Sequence, residues 1–205
     1  MRGFLKTSLT FVAIAAMMAF AAAAAKADPV TYSTTAQFNG AGGFSSPNAI
    51  VFGGMGNQLS LTFTGVTNVT VNPGGTFTFG SLGEIQTAVT GTGATITPGT
   101  TIQIRVTQTV PSGGSGDFSA LLTGTISQNS SSGQITFTVT HIEIGAVQYD
   151  VQNNPLALVP PSTNGGVTSI QARITAVPEP ASMFLLGTGL AGVAGLVRRK
   201  LKARK

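Results

Sequence analysis

Thr101-Ile102-Gln103-Ile104-Arg105-Val106-Thr107-Gln108-Thr109-Val110 alternates apolar and polar side chains along its length. In an extended chain, successive side chains point to opposite faces, so Ile102, Ile104, Val106 and Val110 fall on one face and Thr101, Gln103, Arg105, Thr107 and Thr109 on the other. A helix would scatter the same apolar residues around its circumference. The stretch therefore predicts a half-buried strand of an antiparallel sheet, dry on one side and wet on the other.

The same pattern extends outward in both directions. Phe118, Ala120, Leu122 and Ile126 line a second strand, Gln128 to Gly133 is a polar turn, and Ile135, Phe137 and Val139 line a third, so the last two strands should form a hairpin. Comparable segments run over Val30 to Phe38, Ala49 to Phe52, Leu59 to Thr64, Val66 to Val71, Thr76 to Phe79, Ile85 to Val89, Val147 to Val151 and Val167 to Val177. Ser112-Gly113-Gly114-Ser115-Gly116 is expected to be a flexible loop, and Gln152 to Gly166 a surface excursion before the last strand. About ten strands with alternating patterns predict an all-β fold, an antiparallel β-sandwich of jelly-roll or immunoglobulin-like type, in one domain over residues 28–176. A β-solenoid would require a fixed repeat length, and the segment spacing varies.

The ends are built differently. Met1 to Ala27 places Arg2 and Lys6 before an apolar run from Leu9 to Ala25 and closes on Ala25-Lys26-Ala27, a secretory signal helix with cleavage between Ala27 and Asp28. Residues 177–205 open on Val177-Pro178-Glu179-Pro180, continue as an uncharged run over 181–197, and finish with Arg198, Arg199, Lys200, Lys202, Arg204 and Lys205. As a helix the uncharged run is about 25 Å long, a short transmembrane span whose basic cluster favours the cytoplasmic side. The two prolines resist helix continuation and leave Glu179 in an extended, accessible link. Gly187, Ala191 and Gly195 form a small-residue ridge on that helix. Gly187-Thr188-Gly189-Leu190-Ala191-Gly192 matches a dinucleotide-binding pattern by letter only, because no strand precedes it and no acid follows.

At these residues the chain resembles the PEP-CTERM sorting domain of Gram-negative exported proteins, also catalogued as the ice-binding protein C-terminal domain, over Val177 to Lys205. The resemblance implies recognition by an exosortase, cleavage near Pro178 to Pro180, and delivery of the passenger to the cell surface or extracellular matrix. It assigns the passenger no activity. Export further implies the Sec translocon and signal peptidase as partners.

Charge follows the same division. The net positive charge resides in the two ends, whereas residues 28–177 hold five acids (Asp28, Glu84, Asp117, Glu143, Asp150) against Arg105 and Arg173, a net −3. A mildly acidic passenger argues against nucleic-acid binding. The chain has no cysteine, so its fold rests on the core without disulfides.

Chemistry-bearing residues are sparse. His141, the single histidine, sits where the apolar phase moves from the odd positions Ile135, Phe137 and Val139 to the even positions Ile142 and Ile144, which suggests a bulge. Glu143 and Asp150 lie near it in sequence, a conceivable general-base or ligand group, although a solvated strand irregularity is the plainer reading. One histidine and no cysteine do not make a zinc site, the acids lack calcium-loop spacing, and no serine elbow is present. Glu84, Glu143 and Asp150 could pair as glycosidase carboxylates only if the fold brought them together. Thr62-Phe63-Thr64, Thr76-Phe77-Thr78 and Thr136 to Thr140 could array threonines toward water or sugar, and Tyr32 and Tyr149 are in phase with core residues. The expectation is a non-enzymatic passenger, without cofactor or metal, structural or adhesive in role. A carbohydrate- or ice-binding module, with extracellular polysaccharide as partner, is the alternative, and a hydrolase comes after it.

Overall fold

The computed structural model describes residues 28–74 and 77–176, together with Gly187 and Gly189. The signal helix over 1–27, the transmembrane helix over 181–197, the sorting motif from Val177 to Pro180, Thr76 and the basic cluster fall outside the described residues. Among those described, no helix is long and apolar enough to cross a membrane.

The described chain is all-β, with every strand pair antiparallel. Its strands are β1 (Val30–Phe38), β2 (Ala41–Ser45), β3 (Asn48–Gly54), β4 (Asn57–Thr64), β5 (Val69–Val71), β6 (Thr78–Thr90), β7 (Ala94–Thr95), β8 (Thr101–Val110), β9 (Gly114–Thr123), β10 (Thr125–Ile126), β11 (Gln134–Phe137), β12 (His141–Ile144), β13 (Val147–Val151), β14 (Leu156–Ala157) and β15 (Val167–Ala176). The first sheet has the order β14-β11-β9-β8-β1-β2, with β5 beside β2 on the outer side of β1. The second has the order β12-β13-β15-β6-β4-β3, and β7 and β10 make a separate ribbon. Antiparallel pairing throughout rules out the parallel coils of a solenoid for this region.

The inner faces of the two sheets share one core, which includes Tyr32, Ile102, Ile104, Val106, Phe118 and Leu122 from the first sheet and Leu61, Phe63, Leu82, Ile85, Tyr149 and Ile174 from the second. Polar groups within it are paired. Tyr32 Oη donates to the Ser81 carbonyl and Thr34 Oγ1 to the Leu82 carbonyl, so side chains of β1 satisfy the stretch of β6 that lies beyond the end of its ladder with β4. In the other direction, Tyr149 Oη donates to Gln108 Oε1, and Gln108 Nε2 donates to the Ser112 and Ile144 carbonyls. Gln108 therefore occupies the inward position that completes the 102, 104, 106 series, and Val110, expected inside, is exposed where β8 runs past the core.

Three further departures from the sequence reading have local causes. Thr78 and Phe79, the end of the first expected segment, and Ile85 to Val89 belong to one strand, β6, whose inward phase changes from Gly80 and Leu82 to Ile85 and Thr87 at a bulge against Ile170/Gln171. Gly83 occupies it with φ +117°, and a Cβ there would stand 2.5 Å from the Thr64 carbonyl oxygen. The glycine-serine run is half strand, because β9 begins at Gly114. Side chains at 114 and 116 would strike Ile144 Cγ2 at 2.7 Å and Ile142 Cδ1 at 3.0 Å, so the glycines admit the opposite sheet. The 152–166 stretch is more than a surface excursion, since β14 pairs with β11 and buries Leu158.

Gly83→Val is expected to destabilise the domain by about 2 kcal/mol or more, through an unfavourable φ and a backbone clash. Tyr149→Phe, which leaves the buried Gln108 oxygen unpaired, should cost about 1–3 kcal/mol. Urea unfolding of both variants checks the two values.

Candidate functional site

The phase change at His141 is a change of sheet. β11 ends in the first sheet at Phe137 and β12 begins in the second at His141, so the inward side switches without the expected bulge. His141 then lies directly opposite Asp150 on β13, Asp150 opposite Arg173 on β15, and Arg173 opposite Phe79 on β6. Four side chains, from the β12–β13 hairpin, β15 and the more distant β6, thus form one row on the outer face of the second sheet.

The row is held by polar and aromatic contacts. His141 Nδ1 is 2.7 Å from Asp150 Oδ1 and Nε2 is 3.3 Å from Glu143 Oε1, while Gln148 Nε2 donates to that Glu143 oxygen at 3.0 Å. The Arg173 guanidinium lies 4.1 Å from the centre of the Phe77 ring, which meets Phe79 edge-on at 5.4 Å. Both rings are exposed, Phe79 at 55 %. Among the described residues no carboxylate lies within ion-pair distance of Arg173. A guanidinium with spare donors beside two open aromatic faces is a surface that can hydrogen-bond and stack at once.

The hydrogen bond to Asp150, then that to Glu143, raises the His141 pKa above its ordinary value. Both ring nitrogens are engaged by carboxylates, Nδ1 by Asp150 and Nε2, the nitrogen that would activate a nucleophile, by Glu143. Glu84 lies apart on β6, opposite Thr64 and Ser169, so the three acids do not assemble as a set. No metal-holding group of histidine and acids occurs among the described residues.

The other sequence candidates are dispersed. Thr62 and Thr64 are on β4, Thr78 faces inward opposite Ile174, and Thr136 is on β11 of the other sheet, so these triplets make no single array. Tyr32 and Tyr149 are fully buried and meet edge-on at 5.7 Å; burial pushes the Tyr32 pKa up to about 12 and raises that of Tyr149 as well. Asp28 is exposed just ahead of β1. Phe77, Phe79 and Arg173 were not singled out by sequence, although Gly83 between two oppositely phased halves of a strand pattern was the available signal. The outer face of the first sheet has a similar unit, in which Arg105 makes paired 2.8 Å bonds to Asp117 and lies 3.8 Å from the Phe44 ring centre.

The PEP-CTERM protein-sorting motif matches residues 176–200, beginning at the last residue of β15. The chain therefore carries the motif of exported proteins, and exosortase is the processing partner that the motif implies. No curated protein and no solved structure matches the chain.

Because the folded pKa of His141 is raised, its contribution to stability is fully present below the unfolded value near pH 6.5 and is lost as pH rises through the folded value. An NMR titration should place the imidazole above 6.5, and Asp150→Asn should move it back down; as an exposed pair, the loss should leave the melting temperature nearly unchanged.

Proposed function

We propose that the chain is an exported bacterial surface or extracellular-matrix protein whose passenger, residues 28–176, is a non-enzymatic β-sandwich of jelly-roll or immunoglobulin-like type with a structural or adhesive task. The observation that carries this reading is the position of the motif: the sorting segment starts at Ala176, where the final strand ends and the core is already complete. A tail attached there can be removed without unpicking a strand. In this reading Sec exports the chain and signal peptidase cuts between Ala27 and Asp28. Residues 181–197 then hold an inner-membrane intermediate until exosortase acts near Pro178 to Pro180.

An extracellular polysaccharide is the second reading, favoured by Phe77 and Phe79 standing beside Arg173, Asp150 and Gln148 on one outer face. Sugar rings stack on aromatic faces while their hydroxyls take hydrogen bonds from such neighbours. Ice binding has no comparable observation behind it.

Intact mass of the protein in surface and medium fractions tests the sorting. A species running from Asp28 to near Pro178–Pro180 is expected, and replacing Pro178, Glu179 and Pro180 with alanine should abolish it. Retention of Lys205 in both forms would instead make the tail a permanent anchor.

A further inference from the structure

An antiparallel sheet must deal with the unpaired N–H and C=O groups of its outermost strands, and three of the four edges here do so. β14 has two residues and is followed by Pro160 and Pro161. β2 and β5 divide the edge of β1 between them, and β2 carries Gly42 and Gly43 at positive φ. β12 has four residues and exposes His141 and Glu143.

β3 is the least protected of the four: its one such feature is Gly53, beside the hairpin tip, with φ +92°. The strand is seven residues long, contains no proline or charge, and lies within a stretch, 29–83, that has no charged residue at all. Its inner side pairs in unbroken register with β4 from Asn48↔Phe63 to Gly54↔Asn57. The two-residue Met55-Gly56 loop makes Gly54 and Asn57 the closing hydrogen-bonded pair, so alternation turns the backbone groups of Ala49 and Val51 outward. Among the described residues no loop or turn hydrogen bond reaches them. An open recess of about 320 Å³ lies alongside, between Ile50 to Phe52 and Thr97 to Thr100. Val51 is 57 % exposed and Met55, at the hairpin tip, is fully exposed.

We propose that β3 is a pairing edge for a second copy of this chain, in an antiparallel, two-fold contact centred on Val51. Self-pairing is favoured by the sequence of the strand. Val51 meets its own counterpart, Ile50 meets Phe52, Ala49 meets Gly53 and Asn48 meets Gly54, with no like charges opposed. An uncharged edge also offers nothing to select a charged partner. The ladder is about 23 Å long, at the small end of specific interfaces, so each contact is weak alone and effective when many copies are displayed together.

The geometry adds a direction. Val30 and Ala176 lie at one end of the domain, linked through the Val110 turn, Gln108, Ile144 and Val147, while the Met55 tip lies at the other. A two-fold antiparallel pair points the attachment ends of its members in opposite directions. It therefore joins released copies, or copies on two facing surfaces. That bridging role rests on the surface display proposed above, whereas the pairing does not.

The cysteine-free sequence makes the test direct. In the full chain carrying Val51→Cys, mild oxidation should trap a disulfide dimer, since opposed residues of paired strands fall within bridging distance. Glu143→Cys, on the charged edge, should stay monomeric. Val51→Lys should weaken self-association at least tenfold in sedimentation velocity with its circular dichroism spectrum unchanged. The proposal is overturned by a folded Val51→Cys protein that stays monomeric, by equal crosslinking from both edges, or by a dimer insensitive to Val51→Lys. It is equally overturned if Val51→Cys links preferentially to Glu143→Cys in a mixture, which would mean head-to-tail growth. Protein purified after blocked tail processing gives the same readout, so a failed sorting hypothesis and a failed edge contact are told apart.

Discussion

Two tyrosines reach across the interior in opposite directions, and the rest of the packing is arranged around them. Tyr32 of the first sheet donates to a carbonyl of the second, and Tyr149 of the second donates to Gln108 of the first, with the rings in edge-on contact between them. A cysteine-free chain has no covalent bond to fix its sheets in one alignment. Nonspecific apolar burial would tolerate sliding, whereas a buried hydroxyl is satisfied at only one offset, and leaving it unpaired costs about 1–3 kcal/mol. Neighbouring sequence choices follow. Position 80 must be glycine because the Tyr32 hydroxyl and Ile174 fill the space a Cβ would take. Gln108 can be buried because both ends of its amide are used.

That arrangement explains which parts of the fold the sequence exposed. Val30–Phe38, Thr101–Val110 and Val147–Val151 have the predicted bounds because alternation runs through each, interrupted only by the inward polar residues Thr34 and Gln108. The hairpin of β9 and β11 is present as well. What stayed hidden depends on the other sheet. Gly114 and Gly116 look like a flexible linker until Ile142 and Ile144 are seen against them, and β6 looks like two strands until Gly83 is recognised as the bulge that joins them. Hydrophobic periodicity reports which side a residue faces, and says nothing about the neighbour that dictates its size.

The site shows the same limit. His141, Glu143 and Asp150 were grouped by nearness in sequence, and the β12–β13 hairpin does bring them together. Arg173 and Phe79 join them only through the β15 ladders on either side, contacts that span much of the chain. Nothing in the composition marks Phe77 and Phe79 as surface residues; they are exposed because the odd positions before the bulge face outward.

Sequence order and sheet order together give the domain two unlike sides. β2, β3, β4 and β5 come from the uncharged stretch and lie at one side, while β9, β11, β12 and β13 occupy the other with Asp117, His141, Glu143 and Asp150. A charge near an edge discourages strand addition, because a docking strand would bury it or oppose it. On the charged side the edges are also short, so protection there is doubled. On the uncharged side the first sheet is protected by division between β2 and β5, and the second only by Gly53 next to the hairpin tip. If the edge of β3 were merely neglected, one lysine in place of Val51 would close it without touching the core, since that side chain already points to water. Among edges otherwise blunted by length, division or charge, an uncharged strand of seven residues is best explained as a surface that is used.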